Sequence, residues 1–141
     1  MRGIGRQPVT GKSANFAHIP DPFGYGQRAV DYLRSLKHPK SRMPDMAFQL
    51  DDWQEDIVRH IYGPVDERGN RIVRNVVILL PRGNRKTSLG AALALLHTDG
   101  PEAVPSGEVI FAAADQKQAK IGFNEVDGIL FASGKPVWRK G

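Results

Sequence analysis

The sequence predicts an α/β chain in which parallel strands with flanking helices follow an irregular basic arm and two helices. Three observations carry this. Two runs, 72–80 and 109–113, are rich in aliphatic residues, and the first ends almost continuously apolar, as a strand buried on both faces does. Each run is followed by a helical pattern, at 87–97 and 116–131. The order strand, helix, strand, helix implies parallel strands joined by right-handed crossovers.

Taken in chain order, residues 1–24 are rich in Gly, Pro and small polar residues without apolar periodicity, and read as an extended arm. From Gln27 to Leu36, the residues Ala29, Tyr32, Leu33 and Leu36 share one helical face, and His38-Pro39 ends the pattern. A second helix starts at Asp51 or Asp52, a good N-cap, carries Trp53, Ile57, Ile61 and Tyr62 on one side, and stops at Gly63-Pro64. Turn chemistry at 66–70 feeds the first apolar run, Pro81 to Arg85 interrupt it, and an Ala/Leu-rich helix resumes at Thr87. The last expected helix places Ala119, Phe123, Val126 and Leu130 on one face. The expected organisation is a basic arm and short helix at 1–44, a mixed α/β domain at 45–131 and a tail at 132–141.

Composition narrows the function classes. A chain of 141 residues, 40% hydrophobic and 25% charged, holds one small domain. It has no cysteine, which excludes disulfides and thiolate zinc sites, and its histidines (His18, His38, His60, His97) lack ligand-like spacing along the sequence. No apolar run approaches the roughly 20 residues that span a bilayer, and no secretory signal is evident. The expectation is a soluble, cytoplasmic protein without a membrane partner. Net charge is +5, and residues 1–50 hold the excess, with eight Lys/Arg against three Asp, while the remainder balances at twelve against twelve. Such a segment suits nucleic-acid phosphates or an acidic partner, and equally a solvated arm with no specific partner.

The chemistry-bearing stretch is Leu80-Pro81-Arg82-Gly83-Asn84-Arg85-Lys86-Thr87, between the first apolar run and a helix. A phosphate-binding loop needs inward amides, a lysine for the β/γ phosphates and a hydroxyl on Mg²⁺ at a helix N-terminus. Lys86-Thr87 stands where that pair belongs. The standard pattern would place glycines at 80 and 85, where the chain has Leu80 and Arg85.

Pro81, Arg82, Asn84, Lys86 and Thr87 nevertheless match the deviant Walker A loop of tailed-bacteriophage terminase large subunits, which the segment resembles. Upstream, Phe48-Gln49-Leu50 with Trp53-Gln54 resembles the family's adenine-recognition motif, and Tyr62-Gly63 before an Arg-rich turn also fits. Downstream, Ala113-Ala114-Asp115 with Gln118-Ala119 is similar to the segment after the family's second core strand. The resemblance covers roughly residues 45–130.

It implies an incomplete P-loop NTPase fold and a DNA-packaging ATPase, with ATP and Mg²⁺ as cofactors. It casts Arg82 and Lys86 as catalytic, Lys86 on the β/γ phosphates and Arg82 on charge developing at the γ-phosphate. Thr87 becomes the Mg²⁺ ligand, and Gly83, Asn84 and Arg85 complete the phosphate loop. Trp53 and Gln54 fall to the adenine, although Trp53 also has helical spacing with Ile57 and Ile61 and suits a core role. Implied partners are double-stranded viral DNA, the remaining part of the large subunit, the small terminase subunit and the portal. Arg85 stands where the family has glycine: it blocks close approach of the backbone to phosphate, adds a cation, or marks a copy that no longer binds nucleotide tightly, and the sequence leaves these open.

The family's acidic Asp-Glu pair after a strand is not evident, Asp115-Gln116 being the nearest candidate, and its nuclease domain lies beyond residue 141. The expectation is a truncated large subunit that binds nucleotide weakly and turns over none alone. Two other readings stay open: another P-loop ATPase of helicase-like kind, and a non-catalytic nucleic-acid-binding or interaction module.

Overall fold

Helix α1 (Tyr25–Ser35) begins where the Asp21 carboxylate accepts hydrogen bonds from the Gly26 and Gln27 amides, both at 3.0 Å. That satisfies two of the donors a helix start leaves open. The computed structural model describes residues 16–80 and 86–135. Its backbone divides into two compact units, one drawn from Met1–Val30 and Asp51–Val77, the other from Asp31–Leu50 and Ile78–Gly141.

In the first unit, helix α2 (Asp52–Tyr62) is set by a capping box in which the Asp51 amide donates to Gln54 Oε1 at 2.8 Å. Its buried face is Gln54, Glu55, Val58, Ile61 and Tyr62, rotated from the expected one, since Trp53 and Ile57 are only half-buried. The rotation brings a carboxylate inside, and Arg59 one turn on answers it, with its guanidinium 2.8 Å from Glu55 Oε2. Arg59 also donates to Gln27 Oε1 at 2.7 Å and lies over the Phe16 ring. The helix is capped by Gly63 ahead of Pro64, and with φ at −69° it is space, not backbone conformation, that calls for glycine there. A Cβ there would meet the Pro20 carbonyl oxygen at 2.4 Å and that of Arg59 at 2.8 Å. Asp66 then organises the following turn by accepting from the Arg68 and Asn70 amides, and an antiparallel bridge joins Val65 to Arg71. The Asn70 and Arg68 amides hold Asp66 below the usual carboxylate range.

The second unit is built on helix α3 (Lys86–Thr98) packed against helix α4 (Gln116–Ala132). Helix α3 buries Leu89, Ala91, Ala92, Ala94, Leu95 and Leu96, a broad apolar face made possible by its Ala/Leu content. Helix α4 starts at Asp115, whose carboxylate accepts from the Gln118 amide at 2.9 Å. Asp115 is thus seen in the part of an N-cap. Of α4 only Ile129 is fully buried; Phe123, expected on the inner face, is half-exposed. Leu33, Leu36, Phe48 and Leu50 add to this core. Tyr32 ties α1 to the end of α3 by donating to Asp99 Oδ2 at 2.7 Å, and Lys135 meets the same carboxylate at 3.0 Å.

The expected α/β fold is corrected. Among the described residues there is no strand: 73–80 and 107–113 have no regular secondary structure and no ladder partners, and the regular elements are helical. An incomplete P-loop NTPase fold with parallel strands is therefore not what these residues form. Several side chains expected in a sheet core stand in solvent, with Val77 83%, Leu79 88% and Ile110 76% exposed, while Ile78, Leu80 and Phe111 are half-buried. The reason is that aliphatic content fits a chain to a sheet without making one. A strand needs a neighbour on its hydrogen-bonding edge as well as cover on its faces, and among the described residues no segment pairs with either run.

Candidate functional site

Lys86 and Thr87 open helix α3, so both sit where unpaired amides and the helix dipole favour an anion. Both side chains are exposed. Among the described residues Lys86 Nζ donates to the Leu80 carbonyl at 3.4 Å, a long contact. The two residues border a cavity of about 510 Å³. Its wall is otherwise apolar (Ile78, Leu89, Leu93, Phe111, Ile121), with Gln118 the remaining polar side chain among the lining residues described. An ammonium and a hydroxyl at a helix N-terminus fit a polyphosphate and its Mg²⁺. No carboxylate lines this cavity among the described residues, so water activation and the outer Mg²⁺ shell have no acidic group there.

The other expected site residues are distributed as follows. Arg82, Gly83, Asn84 and Arg85 lie outside the described residues. Trp53 and Gln54 belong to the first unit, whereas Lys86 and Thr87 belong to the second. Trp53 is half-buried. Gln54 is fully buried, with Oε1 committed to the Asp51 amide and Nε2 lacking a hydrogen-bond partner among the described residues. An adenine contact through Gln54 thus requires the start of α2 to open.

Sequence reasoning missed one cluster in the second unit. His38 Nε2 meets Glu125 Oε1, and the same oxygen accepts from Ser88 Oγ at 3.1 Å. The three line a second cavity of about 350 Å³ with Lys40, Ser41, Arg42, Phe48 and Gln49. The carboxylate lies between imidazole and hydroxyl, so this is not a nucleophilic triad, in which the imidazole must lie between the other two. Glu125 is 87 residues from His38 and 37 from Ser88, distances at which no spacing rule operates.

With this geometry in hand, comparison with known proteins gives one informative match. The chain is 31% identical over 101 residues to the terminase large subunit of Enterobacteria phage HK97. It is related to a phage terminase large subunit. The match takes in 70% of this chain and 19% of that protein, so the chain spans about a fifth of the relative's length. No protein-family model matches the chain. No solved structure matches it. Among the described residues no helix is long and apolar enough to cross a membrane.

Proposed function

We propose that this chain is a nucleotide-binding portion of a phage DNA-packaging motor. The observation that carries the reading is the match to a terminase large subunit, together with the Lys86-Thr87 pair at the first turn of α3. In this reading Lys86 neutralises the β/γ phosphates of ATP and Thr87 contributes its hydroxyl to Mg²⁺. Arg82, Gly83, Asn84 and Arg85 complete the loop, with Arg82 facing the charge that develops on the terminal phosphate. Bound Mg²⁺ would supply electrostatic stabilisation of the phosphates. The acidic group that orders the attacking water comes from elsewhere, since the cavity beside Lys86 lacks one among the described residues. Viral duplex DNA, the rest of a large subunit, a small terminase subunit and a portal are the partners this reading entails.

The test is titration of the full chain with Mg-ATP by calorimetry, beside Lys86→Ala and Thr87→Ala, and an ATPase assay with and without DNA. The expected result is weak binding abolished by Lys86→Ala, with no turnover near the usual enzyme scale of about 1 per second. Binding indifferent to both substitutions would overturn the nucleotide reading. If salt-dependent DNA binding then persisted in Lys86→Ala, the basic excess of residues 1–50 would be the functional feature instead.

A further inference from the structure

We propose that His18, Asp56 and His60, all in the first unit, form a binding site for a divalent transition-metal ion of the zinc kind. The three side chains each place one ligand atom within 4.8 Å of the other two. They come from two places in the fold. Asp56 and His60 stand one turn apart on α2, the spacing that puts two ligands on one helical face. His18 comes from the turn at 16–19, closed by the Ile19 amide donating to the Phe16 carbonyl at 3.1 Å.

That turn is seated rather than free. Phe16 and Ile19 are both buried, and the Arg59 guanidinium covers the Phe16 ring at 5.4 Å. His18 between them is thereby presented outward against His60, the two imidazoles meeting edge to face with centroids 6.3 Å apart. His60 is oriented by its own helix, Nδ1 lying 2.9 Å from the Asp56 carbonyl oxygen and 3.5 Å from Asp56 Oδ2.

The donor set decides the class of ion. Two imidazoles and one carboxylate form a nitrogen-rich, borderline-soft set that favours Zn²⁺, Co²⁺ or Ni²⁺ over the oxygen-seeking Mg²⁺ and Ca²⁺. Zinc bonds of about 2.0–2.2 Å put neighbouring tetrahedral ligands about 3.4 Å apart, so closing from 4.8 Å takes only small rotations of three side chains. His60 and Asp56 are about half exposed, at 54% and 47%, which leaves room for water at the remaining coordination positions. A bound ion would clamp the 16–19 turn onto α2. It is distinct from the Mg²⁺ of the nucleotide reading, which that reading places on Thr87.

The experiment uses the full chain without an affinity tag, titrated with Zn²⁺ by calorimetry and with Co²⁺ by visible absorption. One Zn²⁺ per chain is expected, with a raised thermal midpoint and no displacement by excess Mg²⁺. His18→Ala and His60→Ala should each weaken Zn²⁺ about tenfold or more and bleach the Co²⁺ bands, since loss of an outer-shell partner alone costs about 10–100-fold. His97→Ala, on α3, should change neither. Both test positions are exposed, so far-UV circular dichroism should show the variants folded. Absence of Zn²⁺ binding by the intact chain, or affinity unchanged in both His18→Ala and His60→Ala, would overturn the proposal.

Discussion

Single residues in this chain act through what faces them. Asp99 is the clearest titrating case. The Tyr32 hydroxyl, and after it the Lys135 ammonium, hold its carboxyl below the usual range, while burial and Asp99 push the Tyr32 phenol up. The signs follow from linkage. A depressed Asp99 contributes stability above its unfolded value of about 3.9, lost as pH falls through the lower folded value. A raised Tyr32 contributes below about 10, lost as pH rises through its folded value. Thermal midpoints measured across pH should show both slopes in the native chain; Tyr32→Phe should remove the alkaline one and flatten the acid one. Gly63→Ala tests a different constraint, since its Cβ would press on the Pro20 carbonyl oxygen at 2.4 Å. Urea unfolding should show a loss of about 1–3 kcal/mol, the usual range for overpacking. At position 85, Arg85→Gly should tighten Mg-nucleotide binding if the arginine side chain holds the loop off the phosphates. Calorimetry showing weaker binding would make Arg85 a contributor to the site.

At the scale of elements, the helices behave as their boundary residues dictate. At the start of α2 the Asp51 amide donates to Gln54 Oε1, and at the start of α4 Asp115 accepts from the Gln118 amide. The face each helix buries is another matter. Helix α2 buries Glu55 at 1% exposure because Arg59, itself 11% exposed, pairs with it one turn on. Removing one partner of such a pair leaves a buried charge, so Arg59→Ala should cost about 3 kcal/mol in urea unfolding, at the low end because the arginine retains some solvent. Glu55→Gln with Arg59→Ala should cost less than the sum of the two, a coupling read by a double-mutant cycle. A Gln54→Ala variant should lose about 1 kcal/mol through the cap alone, so any drop in nucleotide binding there must be compared with α2 stability first.

Over the whole molecule, apolar surface is conspicuous. Leu79 and Ile110 stand 88% and 76% exposed in segments that belong to no sheet among the described residues. Leu79→Lys and Ile110→Lys should therefore leave the unfolding free energy within about 0.5 kcal/mol, while lowering binding of a hydrophobic dye. A loss of several kcal/mol at either position would show that these side chains are covered in solution.

What the sequence determined by itself is local. Helix positions followed from apolar periodicity, from the cap at Asp51 and from breakers such as Gly63-Pro64, because each is decided within a turn or two of backbone, whereas the cap role of Asp115 emerged only in the structure. The Lys86-Thr87 pair and its place at a helix start were legible for the same reason, and the terminase resemblance rested on that segment and its flanks. Only the tertiary structure decided the rest. Whether 72–80 and 109–113 form strands depends on partners that their own composition cannot supply, and here ladder partners are absent among the described residues. Which face of α2 turns inward depended on Arg59 lying within reach of Glu55. The convergence of His38 with Glu125, and of His18 with His60, was invisible along the chain because folding, not spacing, brings such residues together.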